Sequence, residues 1–212
     1  MEVRMEIGGV AVDGILEVPD GAKSIVIFAH GTGSSRLSPR NRYVAGVLRD
    51  IGLGTLLFDL LTAEEDRLYQ NRFNIDLLAT RLSAATDWLE GRVQMTSIGY
   101  FGASTGAAAA LRASVKHSRV RAIVSKGGRP DLAWDYLDDV TAPTLLVVGG
   151  YDSEVLMLNE QALRRLRTRK NLVVVPGATH LFEEPGTLEE VARVAADWFR
   201  EFLHRRGPCS SQ

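Results

Sequence analysis

Cysteine is almost missing from this chain: among 212 residues there is one, Cys209, three positions from the C-terminus. A lone thiol between Pro208 and Ser210 closes no loop, so a disulfide framework and a cysteine-ligated metal site are both excluded. An excess of either charge is missing too. The 25 Lys and Arg stand against 26 Asp and Glu, a formal net charge of -1, which is neither the basic footprint of a nucleic-acid binder nor the acidity of a disordered tail. No apolar run approaches the length that crosses a bilayer, and the start Met1-Glu2-Val3-Arg4 lacks the basic and then apolar segment of an export signal. The expectation is a cytoplasmic protein with no membrane partner. Repeats of 20 to 50 residues and low-complexity tracts are also lacking, which excludes solenoids and arrays.

What is present is a regular alternation. Short apolar runs recur at Ile25 to Ala29, Thr55 to Phe58, Ile98 to Phe101, Val120 to Val124, Thr144 to Val148 and Leu172 to Val175. Each has the length and continuity of a strand buried on both faces. Between them lie stretches with helical spacing, such as Val44, Val47, Leu48 and Ile51, or Val191, Val194, Ala195, Trp198 and Phe202. Strand and helix in alternation argue for an α/β sandwich of three layers around a mostly parallel sheet. At the start, Val3, Met5 and Ile7 alternate, Gly8-Gly9 suits a tight turn, and Val10 and Val12 continue beyond it, which predicts an antiparallel hairpin at one sheet edge. One domain over residues 1 to 205 is expected, with 206 to 212 a disordered tail. Between the fourth and fifth of these apolar runs there is room for a short helix near Asp131 to Leu137 but not for a lid of several helices.

The strongest local signal is Gly102-Ala103-Ser104-Thr105-Gly106, directly after one predicted strand and opening the alanine-rich helix from Ala107. In a strand, turn, helix setting the GxSxG pattern forms a nucleophile elbow, its glycines allowing close backbone approach while the serine is pushed out above the sheet. Serine needs a base to take its proton, and the base needs an acid to orient it. Of the four histidines, His180 alone lies in a loop after a late strand, within Pro176-Gly177-Ala178-Thr179-His180. His30, in a His-Gly-Thr-Gly turn, reads as structural. The acid between them in the chain is Asp152, reached from a strand end through Gly149-Gly150-Tyr151, with Glu154 in reserve. The expected triad is therefore Ser104, Asp152 and His180, in that order.

Acyl transfer also needs donors set where the oxyanion will form. The amide of Thr105 at the start of its helix is one, and the amide of Thr32, in the Gly31-Thr32-Gly33 turn after an early strand, is the expected second. Gly31 and Gly33 would lie against substrate, with Leu61 and Tyr69 as candidate pocket walls from the segment Leu60 to Asn71. Arg36, Arg40 and Arg42 could be a solvated face or could receive an acidic substrate. The cluster Arg164, Arg165, Arg167, Arg169 and Lys170 reads as a surface face. No cofactor motif is present, since neither GxGxxG nor GxxxxGK[ST] occurs, and no histidine or carboxylate pair has metal-ligand spacing, so no metal is expected.

On the His-Gly-x-Gly turn, the Ser-Pro-Arg-Asn at residues 38 to 41, the elbow, and the loops of Asp152 and His180, the chain resembles the α/β-hydrolase superfamily over about residues 1 to 205. Within it, the chain is similar to the small lidless proteins grouped with dienelactone hydrolase. The resemblance implies a cytoplasmic carboxylesterase acting on small acyl esters through a Ser104 acyl-enzyme. Dienelactone hydrolases use a cysteine nucleophile where this chain has Ser104, which favours a serine carboxylesterase over a dienelactone-cleaving enzyme. An acyltransferase or perhydrolase with the same triad, or a small-molecule receptor on the same fold, are the alternatives. The partner implied is a small-molecule ester, with no nucleic acid; a homodimer is compatible with the sequence.

Overall fold

Gly8 and Gly9 both take positive φ, 58° and 79°, and turn the chain between strands β1 (Glu2–Ile7) and β2 (Val10–Glu17). Two successive left-handed residues are what a tight hairpin turn needs, and Met5 faces Val12 across the antiparallel pair. The computed structural model describes residues 1–203. Beyond the hairpin the elements alternate: β3 (Ser24–Ala29), α1 (Pro39–Asp50), β4 (Gly54–Phe58), α2 (Ala63–Asp66), α3 (Ile75–Glu90), β5 (Ser97–Ala103), α4 (Thr105–Ser114) and β6 (Val120–Lys126). They continue with β7 (Thr144–Gly149), α5 (Ser153–Arg165), β8 (Lys170–Val175) and α6 (Thr187–Leu203).

All eight strands join one sheet in the order β1-β2-β4-β3-β5-β6-β7-β8. The pairs from β4 to β8 are parallel, and the hairpin docks antiparallel onto β4 through β2. Continuous apolar strands are explained by burial on both faces. Ile25 and Ile27 of β3 point into the cluster shared with α3 and α4, whereas Val26 and Phe28 point into the opposite cluster with α1 and α6. The chain leaves β3 for β4 on one side and returns to β5 on the other. That reversal opens a crevice at the carboxyl ends of β3 and β5, the usual ligand position in open α/β sheets.

Local features complete this outline and correct one expectation. Helix α3 begins only at Ile75, because a 3₁₀ turn at Tyr69–Phe73 comes first and Asn74 caps the new helix by accepting from the Leu77 amide at 3.1 Å. The segment after β4 carries structure of its own. Thr62 and Glu65 form a reciprocal capping box on α2, and Glu65 also holds the buried Arg81 at 2.8 Å. Arg36 is no solvated side chain, since its Nη1 reaches Asp59 at 2.5 Å. The basic cluster at 164 to 170 is a surface face, as expected; it runs from α5 into β8, with Arg165 and Arg167 sharing Asp138 and Arg169 paired to Glu201.

Between β6 and β7 a 3₁₀ segment, Pro130–Asp139, buries Pro130, Ala133 and Leu137 and packs against α4 and α5. The proposed tail at 206 to 212, with Cys209, lies outside the described residues.

Candidate active site

Ser104 holds φ 50° and ψ −119°, a backbone state that residues with side chains rarely adopt. The two glycines around it show why the turn can be so tight. A Cβ on Gly102 would overlap Ala107 Cα, and one on Gly106 would overlap the carbonyl oxygens of Ala29 and His30. The elbow therefore presses α4 against the end of β5 and against β3 at once. The carbonyl of Ser104 accepts from Ala107 and from Arg129, and its amide donates to Lys126 O at 3.2 Å, so the turn is pinned on three sides.

His180 and Asp152 come from separate strand ends and meet at 2.6 Å, Nδ1 to Oδ2. A carboxylate can only accept, so the ring carries its hydrogen on Nδ1 and leaves Nε2 with a free lone pair, the form a general base requires. Asp152 sits at the N-cap position of α5, yet its side chain does not cap the helix. Glu154, the reserve acid, lies within the first turn of α5. Gly149 makes the meeting possible, since a Cβ there would collide with the carbonyls of Ala178 and Thr179. On the far side of the histidine, Glu184 accepts from the Thr179 amide at 3.1 Å and its hydroxyl at 2.6 Å; these bonds hold the Glu184 carboxyl below the usual carboxylate range. No hydrogen bond joins Ser104 to the imidazole, although both line one cavity. Contacts of this kind commonly tighten only as substrate binds.

The two expected oxyanion donors also converge. Thr32 and Thr105 hydroxyls lie 3.2 Å apart, which brings their loops together beside the nucleophile. Gly31 is as close, for a Cβ there would stand 3.0 Å from Ala103 O and from Ser104 Cβ. Thr105 opens α4, where the first amides have no acceptor within the helix and face the positive end of its dipole.

The cavity, about 550 Å³, runs from Ser104 and His180 along the loop Gly31, Thr32, Gly33 and Ser34 to the start of α1. Its apolar wall is Leu37, Phe73 and Leu181. Leu61 and Tyr69 are not part of that wall. Leu61 is buried in the core, and Tyr69 is 66% exposed and stacks on Phe73 at 5.2 Å. His30 is structural: its Nδ1 donates to Gly31 O at 3.0 Å and its Nε2 accepts from the Leu60 amide at 3.0 Å. Burial pushes its imidazolium form down, so the ring is held neutral with both nitrogens committed. Lys126, a cavity residue that sequence reasoning passed over, lies at the end of β6; its only signal was a lysine ending an otherwise apolar strand next to the elbow. No group of three or more metal-ligating side chains occurs among the described residues.

The dienelactone hydrolase family matches residues 55–204, a span that contains Ser104, Asp152 and His180. The chain belongs to that family. Within it, the chain is 53% identical to dienelactone hydrolase from Anabaena variabilis, whose crystal structure superposes with a TM-score of 0.91 over 96% of this chain and 98% of that one. Est1E from Butyrivibrio proteoclasticus has the same fold at 18% identity, with a TM-score of 0.80 over 94% of this chain and 98% of that one. A Mycobacterium tuberculosis protein named "Putative phosphoribosyl transferase Rv0571c" is 57% identical over 98% of this chain and 47% of its own length. The chain thus spans about half the length of that relative. This dienelactone hydrolase family member has the α/β-hydrolase fold. No helix among the described residues is long and apolar enough to cross a membrane.

Proposed function

We propose that the protein is a serine carboxylesterase for small acyl esters. The observation that carries this reading is the placement of Ser104, at a strained strand-to-helix turn, in one cavity with an imidazole whose tautomer is set by Asp152. Ser104 Oγ attacks the ester carbonyl while His180 Nε2 takes its proton. The oxyanion of the tetrahedral intermediate is met by the amides of Thr32 and Thr105. Collapse expels the alcohol, which leaves with the proton now on His180, and an acyl-enzyme remains on Ser104. Water then attacks that acyl group, His180 takes the water's proton and returns it to Ser104 Oγ, and the carboxylic acid is released.

The Leu37, Phe73 and Leu181 wall supports a short acyl or aromatic group. The phosphoribosyl transfer in the name of the longer mycobacterial relative has no counterpart in this reading.

The test is a fluorophosphonate probe followed by peptide mass spectrometry, with turnover of p-nitrophenyl acetate and butyrate measured in parallel. An adduct on Ser104 with loss of turnover is the expected result. Turnover that survives full labelling, or an adduct on another residue, removes the proposal.

A further inference from the structure

The turn that carries His180 is poorly held by its own bonds. At its start Ala178 is fixed, since its carbonyl accepts from the Tyr151 amide at 2.9 Å and so ties the histidine loop to the loop of Asp152. At its end Phe182 is fixed as well: its ring is buried in the cluster shared with α1 and α6, with Lys126 Nζ 5.3 Å from the ring centre. Thr179, His180 and Leu181 span the gap between them, and Thr179 and Leu181 are exposed. The bond that closes the turn, from the Phe182 amide to the Thr179 carbonyl, is long at 3.3 Å. Phe182 also has φ 55°, a left-handed state that costs a bulky residue of the order of 1–3 kcal/mol. A turn closed by a long bond and ended by a strained residue relaxes unless something else grips it, and His180 would move with it.

Glu184 supplies that grip. Both of its carboxylate oxygens are spent on one residue, Oε2 accepting from the Thr179 amide at 3.1 Å and Oε1 from the Thr179 hydroxyl at 2.6 Å. Bonds to an ionised acceptor are roughly twice as strong as bonds between neutral groups, so the pair outweighs the long closing bond of the turn. The Glu184 backbone is anchored in its own right. Its carbonyl accepts from the hydroxyl of Thr187 at 2.7 Å and from the Thr187 amide at 3.1 Å, and Thr187 is the buried first residue of α6. A strut thus runs from the start of α6 through Glu184 to the residue before the base. The neighbouring carboxylate is employed differently. Glu183 pairs with Arg40 of α1 at 2.6 Å, with the two side chains 60% and 35% exposed, an ion pair that solvent leaves with little strength.

We propose that Glu184 is a positioning residue for His180: its carboxylate holds Thr179 in place, so that the imidazole stays on Asp152 while Nε2 is presented to Ser104. The effect on turnover rests on the esterase reading; the effect on the Asp152–His180 contact does not. Glu184 is not among the residues that line the cavity, so it acts on the base through the turn and not on the substrate. Its loss should therefore appear in the chemical step and not in the affinity for ester. Proton transfer is sensitive to placement, and a displacement of about 1 Å at a reacting group can cost on the order of 10²-fold.

The experiment has two readouts on Glu184→Ala, Glu184→Gln, Glu183→Gln and Thr179→Ser, each first shown to be folded by circular dichroism. In the first, kcat and KM are measured on p-nitrophenyl acetate. Glu184→Ala should lower kcat by about tenfold or more and leave KM within about twofold. Glu184→Gln, which keeps one acceptor but turns an amide hydrogen toward Thr179, should fall between it and wild type. Thr179→Ser, which keeps both donors, and Glu183→Gln, which gives up an exposed ion pair, should stay within about twofold of wild type. In the second, the low-field proton resonance of His180 Nδ1 is recorded; it should shift or broaden in Glu184→Ala and stay in place in Glu183→Gln. A kcat unchanged in Glu184→Ala, a loss confined to KM, or equal losses in the Glu183 and Glu184 variants overturns the proposal. Should Glu184→Ala not fold, Glu184→Gln and Thr179→Val decide by the same criteria. If wild type turns over no ester, the esterase reading fails and the resonance alone decides: moved in Glu184→Ala, the positioning role stands; unmoved, it falls too.

Discussion

Asp152 Oδ2 and His180 Nδ1 stand 2.6 Å apart across a gap of 28 residues in the chain, and this one contact decides which ring nitrogen is free. Asparagine at 152 could present its amide hydrogen to the ring and favour the opposite tautomer. Asp152→Asn should then lower kcat on p-nitrophenyl acetate by about 10³-fold or more. Asp139→Asn, on the exposed face of the 3₁₀ segment, should change it by less than about twofold. Steady-state kinetics of the two variants check this, and comparable losses would move the acid elsewhere, with Glu154 the first place to look.

The positive φ of Ser104 stores strain that a glycine would relieve. Ser104→Gly should abolish ester turnover while raising the unfolding free energy by about 1–3 kcal/mol, the cost of a residue held in a sparsely populated backbone state. Urea denaturation compares it with wild type; a variant no more stable than wild type would show that the elbow is unstrained.

Gly106 has the opposite expectation. A methyl group there runs into the carbonyls of Ala29 and His30, backbone atoms that cannot swing aside. Gly106→Ala should cost about 1–3 kcal/mol or more, and the displaced elbow should lose activity even where the protein remains folded. Thermal melts and turnover, measured together, test it.

Lys126 makes stability depend on pH in alkaline solution. Its ammonium titrates at about 8 in the folded protein, against an ordinary 10.5. Below about 8 both states are protonated, and the folded state bears the full penalty of the buried charge. Between 8 and 10.5 the unfolded chain still binds the proton that the folded protein has shed, so this group makes stability rise with pH. Lys126→Met should therefore be the more stable protein at pH 7, by on the order of 3 kcal/mol or less, and the gap should narrow toward pH 10. Urea unfolding of both proteins across that range reads it, and a gap that widens with pH would sink the argument.

Much of the fold and of the candidate triad was legible because the signals were local. Buried parallel strands show as apolar runs, and the elbow is written within five residues by glycines that have nowhere to put a Cβ. Asp152 and His180 followed from their place after strands. The pocket wall was not legible in the same way. Whether Leu61 or Leu37 faces the cavity depends on how α2 and the 3₁₀ turn at Tyr69–Phe73 fold back, set by the Thr62 capping box and by Arg81 reaching over from α3. Lys126 was missed because its burial is conferred by Phe182 and by the start of α1, partners 56 and more residues away.

The distribution of the site over the sheet also sets when it can exist. Ser104 directly follows β5, near the centre of the sheet, but the Asp152 and His180 loops hang from β7 and β8 at the edge built from the last strands of the chain. Helix α6 follows them and locks the arrangement by packing across β5, β6, β7 and β8, with Trp198 donating to Pro143 O at 3.3 Å. A nascent or refolding chain that stops at Val175 thus holds the nucleophile and the acid without the base. Contacts this distant in sequence close late, after the entropy of a long loop has been lost. Recovery of turnover during refolding is accordingly a clock for the docking of α6, and it should keep time with the burial of Trp198 rather than with the earlier gain of helical signal.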